Sequence, residues 1–105
     1  LLTEEELKRD YNLKRAQLEE QEDTIRRGEQ SFNQMLEQTS QNVSRILQEA
    51  EGDVSEASQF SRHRLQQLSE EYGEKFQEEK RHVQMQLEEA EREFNQNYKA
   101  LKTKD

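Results

Sequence analysis

Apolar residues in the second half of the chain recur at helical spacing. Leu65, Leu68, Tyr72, Phe76, Glu79, Val83, Leu87, Ala90, Phe94, Tyr98 and Leu101 are separated by steps of 3,4,4,3,4,4,3,4,4,3, an eleven-residue repeat broken by one polar residue, Glu79. At about 3.67 residues per turn, such a stripe stays nearly straight on its helix or supercoils slightly right-handed. The first half carries a poorer stripe: Leu7, Tyr11, Leu18, Ile25, Phe32, Leu36, Thr39, Val43, Ile46 and Ala50. Between Tyr11 and Phe32 it offers mainly one apolar residue per heptad.

The punctuation predicts two helices. Thr3-Glu4-Glu5-Glu6 fits a capping box, and its acidic residues suit the positive end of a helix dipole. Glu51-Gly52-Asp53-Val54-Ser55-Glu56 is the best turn. Gly52 can take a left-handed conformation after the first helix, and Asp53 can cap the second with Glu56 three residues on. Lys99, Lys102 and Lys104 suit a helix C-terminus. The expected architecture is all-α: a long antiparallel two-helix hairpin, coiled-coil-like, with helix 1 about 3–51 and helix 2 about 54–102. Each arm would reach roughly 75 Å. One pattern favours the alternative of a single continuous helix pairing with another chain: Ile46, Ala50, Val54 and Ala57 keep helical phase through Gly52.

A hairpin requires facing residues to have numbers that sum to a near-constant value. A sum of 104–105 pairs Leu7 with Tyr98, Tyr11 with Phe94, Leu18 with Leu87, Phe32 with Tyr72 or Gly73, Leu36 with Leu68, and Thr39 with Leu65. It also sets Gly28 opposite Phe76, so each arm places a glycine beside an aromatic of the other.

Composition narrows the class. The 105 residues include no proline, and the apolar fraction is 29%. Ala, Glu, Lys, Leu and Arg supply about half the chain, the bias of long helices, while Leu, Ile, Val and Phe fall just under the level at which disorder sets in. A narrow apolar seam is expected instead of a broad core. Net charge is −8, and the basic runs Arg26-Arg27, Arg62-His63-Arg64 and Lys80-Arg81 are short and diluted by Glu. Phosphate binding needs a basic stripe, so nucleic acid and anionic membrane are poor partners. No apolar run approaches the roughly 20 residues of a spanning helix. No signal peptide is seen, and no initiating Met. Cysteine is absent, which removes thiol catalysis, disulfides and Cys-based zinc sites.

Candidate chemistry is sparse. No phosphate loop, nucleophile elbow or zinc-helix motif occurs. Glu79-Lys80-Arg81-His82 has the Glu-x-x-His spacing of di-iron bundles, but those sites need a second such motif and more inward carboxylates. His63 lies between two arginines, as a solvated residue would. Asn42-Val43-Ser44 matches a glycosylation sequon, but no secretory evidence accompanies it, so it is read as coincidence. The expectation is no enzyme, no metal and no cofactor.

Charge is unevenly spread. About half the residues in 1–30 and in 69–105 are charged, whereas 31–68 is rich in Gln, Ser, Asn and Thr. The turn half is therefore a candidate docking surface, because desolvated contacts avoid charge; a polar, solvated tip is the alternative. Leu13, Met35, Leu47 and Met85 fall outside or at the edge of the seam. With the weak stretch Tyr11, Leu18, Ile25 and Phe32, and with Val54 and Phe60 near the turn, they are the candidate partner-binding residues. A two-helix unit is marginal alone, so a chain stable chiefly as an oligomer or in a complex is expected.

The stretch Phe60-Ser-Arg-His-Arg-Leu-Gln-Gln-Leu-Ser-Glu-Glu-Tyr, followed by Glu78-Glu-Lys-Arg-His-Val-Gln-Met-Gln-Leu-Glu-Glu-Ala-Glu-Arg-Glu-Phe, resembles the small helical accessory proteins encoded beside LXG toxins of the type VII secretion system in Gram-positive bacteria. The likeness is one of layout over most of the chain: two equal helices, a central turn, and a second helix ending in aromatics. It implies a targeting chaperone that packs on the helical N-terminal LXG domain of a toxin, beside a second small helical accessory protein. It also implies a cytoplasmic location, with export alongside the partner as a further outcome. The turn lacks Trp-x-Gly. No aromatic-x-x-x-acid export motif is found, since Phe94 is followed four on by Tyr98 and Tyr98 by Lys102, so a partner would supply the signal. Rival expectations are an export-ATPase escort or stalk hairpin of type III or flagellar kind, and a fragment of a structural coiled coil.

Overall fold

The computed structural model describes residues 2–103. It is all-α: α1 spans Glu4–Glu49 and α2 spans Ser55–Thr103, and the two pack against each other as an antiparallel hairpin. Lys104, expected at the basic C-terminal end, lies outside the described residues.

Local chemistry sets the ends. The Thr3 carbonyl accepts the first helical bond from the Leu7 amide at 3.0 Å, and its Oγ1 accepts the Glu6 amide at 3.2 Å. One of the helix's open donors is thereby satisfied. α1 closes with the Ala50 amide on the Ile46 carbonyl at 3.1 Å, and Gly52 then turns with φ +92°. Only glycine holds that backbone cheaply. The continuous-helix alternative therefore gives way to a turn at the expected residue. The cap that follows differs in detail from a box with Glu56. The Val54 carbonyl opens α2 by accepting the Ser58 amide at 2.8 Å. Asp53 caps from one residue upstream: its Oδ1 accepts the Ser55 amide at 3.0 Å and the Ser55 hydroxyl at 2.7 Å.

The chain divides into two compact units, residues 1–25 with 78–105, and residues 26–77. The first holds all four buried side chains among the described residues: Leu7, Leu18, Val83 and Ala90. Leu18, Val83 and Ala90 form one cluster, with Tyr11, Ile25 and Leu87 packed against it. The second unit buries no residue to that degree and is held by partly covered side chains and ring contacts.

The seam departs from the expected stripe at three places. On α1, Ile46 is exposed and Leu47 is half-buried, and Ala50 just beyond the helix is exposed. Each seven-residue step falls about 20° short of two full turns; after Leu36 and Val43, a four-residue step to Leu47 restores the phase, whereas three residues to Ile46 compound the drift. On α2, Glu79 is exposed and Lys80 is half-buried. The two residues lie equally far, about 50°, on either side of the mean direction of Phe76 and Val83, so phase alone does not choose between them. Third, a Cβ on Gly73 would meet nothing within 4 Å, so its expected aromatic neighbour is not there. Gly28 does lie against Phe76.

Candidate helix-docking surface

In the unit that joins the chain's two terminal segments, the helices are tied by rings and by one carboxylate. Tyr11 stacks on Phe94 with centroids 4.6 Å apart and planes 17° from parallel. Glu4 collects three partners. Its Oε1 lies 3.1 Å from Lys8 Nζ and accepts the Tyr98 hydroxyl at 3.2 Å, and its Oε2 lies 3.4 Å from Lys102 Nζ. Hydrogen bonds from Lys8, Lys102 and Tyr98 hold the Glu4 carboxyl below its ordinary range, and Glu4 in turn raises Lys102. Both ammonium groups also sit over the Tyr98 ring, at 5.8 and 5.4 Å from its centroid. Beside this cluster is a shallow groove with apolar walls from Leu2, Leu7, Tyr11 and Phe94.

In the turn unit, Phe32 is the centre of the contact. Its ring lies 4.7 Å from Tyr72 and 6.0 Å from Phe76. Leu36, Val43, Leu47, Leu65 and Leu68 continue the seam, each half-buried.

The expected partner-binding residues divide into three groups. Leu18 is only 5% exposed. Its side chain is used up between the helices, as its pairing with Leu87 requires, and it is withdrawn from the partner-binding set; the one apolar residue per heptad is spent on the intramolecular core. Tyr11, Ile25, Phe32, Leu47 and Val54 are half-buried. Leu13, Met35, Phe60 and Met85 are exposed, and Phe60 most of all at 74%. Two residues assigned to the seam join them: Ile46 at 61% and Tyr72 at 39% exposed. The angular drift along α1 is the sequence signal that separates Ile46 from Leu47.

These side chains are not scattered around the turn unit. Met35 and Ile46 are eleven residues apart, so they share a direction to within about 20°. Both precede the adjacent seam residues by about 80° around α1. On α2, Phe60 precedes Leu68 by about 80°, whereas Tyr72 lies midway in direction between Leu68 and Phe76 and packs on Phe32 in the seam. In an antiparallel pair, positions that precede the seam on both helices face the same side. One flank of the turn unit thus carries Met35, Ile46 and Phe60, while the other side of α1 shows Asn33, Ser40 and Ser44.

No group of three or more His, Asp or Glu side chains placed to hold a metal ion occurs among the described residues, and no helix of theirs is long and apolar enough to cross a membrane. No protein-family model, no curated protein and no solved structure matches this chain.

Proposed function

We propose that this chain is a non-enzymatic helix-packing protein whose hairpin is completed by helices from a partner. The observation that carries this reading is how little it buries alone. Four side chains are buried among the described residues, and 8757 Å² of surface stays accessible. A compact monomer of the same mass would expose about 6,200 Å². The surplus of about 2,500 Å² is in the range that extensive permanent interfaces cover. Exposed Leu13, Met35, Ile46, Phe60 and Met85 are part of that surplus.

The narrower reading names the partner as the helical LXG domain of a type VII-secreted toxin, with this chain as its cytoplasmic targeting chaperone. It is supported by the likeness of layout alone, two near-equal helices of 46 and 49 residues about a central turn. The test is co-expression with the neighbouring genes followed by affinity capture of this chain. Recovery of a stoichiometric LXG domain supports the narrower reading. Recovery of a different helical protein keeps the helix-packing reading and removes the toxin. Capture of an export ATPase would transfer the chain to the escort class.

A further inference from the structure

The seam of the turn unit keeps its phase through the turn. Were one helix to run through residues 50–54 at about 100° per residue, every half-buried position from Leu36 to Leu68, with Val43, Leu47, Val54 and Leu65 among them, would lie within about 40° of one direction. A hairpin makes no such demand. Each arm finds its own facing side, and one residue more or fewer in the connection would turn the seam of α2 by about 100° from that of α1. The turn is also held by little. Apart from the Asp53 contacts with Ser55, the Ala50 amide already makes the helical bond to Ile46, and the Ser58 amide the helical bond to Val54. The chain has no proline, and nothing lies within 4 Å of a Cβ built on Gly52.

We infer that Gly52 is a hinge through which two copies of this chain exchange arms. In the exchanged dimer each chain runs as one helix through residues 50–54, and α1 of one copy packs on α2 of the other. Exchange of identical elements needs no new surface. The α1 seam keeps the α2 seam it holds in the hairpin, with Phe32 on Tyr72 and Tyr11 on Phe94, but each of these contacts now joins two copies.

The register of the hairpin fixes the centre of that dimer. Facing residues sum to 104 or 105, as Phe32–Tyr72, Gly28–Phe76 and Tyr11–Phe94 show. Between two copies the same sums set Gly52 opposite its own counterpart, on the two-fold axis. Ala50 falls opposite Val54 of the second copy, and Leu47 opposite Ala57, each twice. Ala50 and Ala57 are exposed in the hairpin, yet in a continuous helix both lie within about 60° of the seam direction. The dimer gives them the neighbours that the hairpin does not. Glu51 falls opposite Asp53, also twice, so like charges meet beside the axis.

Both states share the seam, so the hinge and the concentration decide between them. Arms joined by a short connection meet at an effective concentration in the millimolar range, which sets the scale of exchange for a neutral hinge. Gly52 weights the balance toward the hairpin, because glycine holds φ +92° without strain and is a poor helix former. The opposed Glu51 and Asp53 act in the same direction, and salt screens them. The inference goes beyond the helix-packing reading and fails separately from it. A chain that captures a helical partner but never exchanges arms removes the hinge alone. A chain that exchanges arms but captures nothing removes the partner alone.

The test is the mass of the full chain by sedimentation equilibrium after refolding from urea at high concentration, joined to one distance. Gly52→Ala strains the turn and favours the helix at both hinges of the dimer, so it should lower the dissociation constant more than about 100-fold. At about 200 micromolar, well below the neutral-hinge scale, it should sediment at twice 12.7 kDa. Ser55→Pro stands at the first position of α2, where proline is tolerated, but it breaks a continuous helix. It should stay monomeric at the same concentration. The chain has no cysteine, and Asn33 and Glu71 are exposed, so Asn33→Cys with Glu71→Cys carries two spin labels, diluted with unlabelled chain. The labels stand under about 25 Å apart in the hairpin and about 57 Å apart along a continuous helix. Circular dichroism checks helicity. Should Gly52→Ala fail to fold, the labelled chain with Gly52 intact decides at about 2 mM, where a share of the long distance is expected and its absence overturns the inference. A helical Gly52→Ala that stays monomeric would overturn it as well. So would a dimer that keeps the short distance, which is two closed hairpins side by side, or a Ser55→Pro chain that dimerises as readily as Gly52→Ala.

Discussion

Gly28 of α1 lies against Phe76 of α2, so that a Cβ built on Gly28 would stand 3.6 Å from the ring's Cε1. That is ordinary van der Waals contact, and the backbone at Gly28 is helical. The glycine is therefore a helix weakness without a steric need. Gly28→Ala should stabilise the fold by about 0.5–1 kcal/mol through helix propensity, a rise of about 4–8 °C in melting temperature per kcal/mol. Gly73→Ala, with open space around its Cβ, should gain a similar amount. Thermal melts at one fixed protein concentration check both.

Gly52 should respond in the opposite direction. Its φ of +92° excludes a side chain at low cost. Gly52→Ala should lose about 1–2 kcal/mol even though its Cβ would meet no neighbour. Urea unfolding of the three alanine variants side by side separates backbone strain from propensity. Equal gains at Gly28, Gly52 and Gly73 would refute the turn geometry.

Leu18 and Leu13 are five residues apart and should behave oppositely. Leu18→Ala removes a core side chain and should cost about 2–3 kcal/mol. Leu13, 60% exposed, should tolerate alanine to within about 0.5 kcal/mol. Denaturant midpoints at constant slope measure the difference.

Glu4 gives the acid limb of stability a defined sign. Lys8, Lys102 and Tyr98 hold its carboxyl below the ordinary 4.5, so the unfolded chain binds that proton more readily than the folded one. Its contribution is present above pH 4.5 and is lost as the pH falls through the lower folded value. Glu4→Gln should flatten the part of the melting-temperature profile that falls below pH 4.5. The Glu4 side-chain carbon resonance, followed by NMR, should titrate below 4.5. Titration at or above 4.5 would remove this group from the acid response.

The hairpin was legible in the sequence because its signals agree with one another. Thr3, Gly52 and Asp53 mark the ends, and the constant sum sets Tyr11 against Phe94 and Phe32 against Tyr72 or Gly73, of which the ring contacts hold Phe94 and Tyr72. Ile46 and Leu47 were harder to separate. Adjacent residues in a stripe differ by one step of phase, and that phase depends on drift accumulated over many turns. Glu79 and Lys80 posed the same problem, since a polar residue in a stripe conceals which of two neighbours faces inward. Leu18 carries two expectations, a place opposite Leu87 in the seam and a place on a partner-binding face, and its burial agrees with the first. One apolar residue per heptad looked deficient, but the partners it needs, Val83 and Ala90, sit about 65 residues and more away on α2.

The location of the four buried side chains sets the order in which the chain can fold. Pairing near Gly52 closes short loops and costs little chain entropy, but it buries no side chain to the level of Leu7, Leu18, Val83 or Ala90. Those four belong to segments separated by the longest loops, and Leu18 reaches Val83 only after 65 residues have been closed. The entropy of closure grows slowly, about 0.6 kcal/mol per doubling, so zippering outward from Gly52 spreads that cost over many small steps. The reward arrives last. When residues 1–25 peel from 78–105, all four buried side chains are exposed together, and what remains has too little covered surface to persist. The hairpin should therefore unfold as one event that begins at the termini, with no stable half left closed around Gly52.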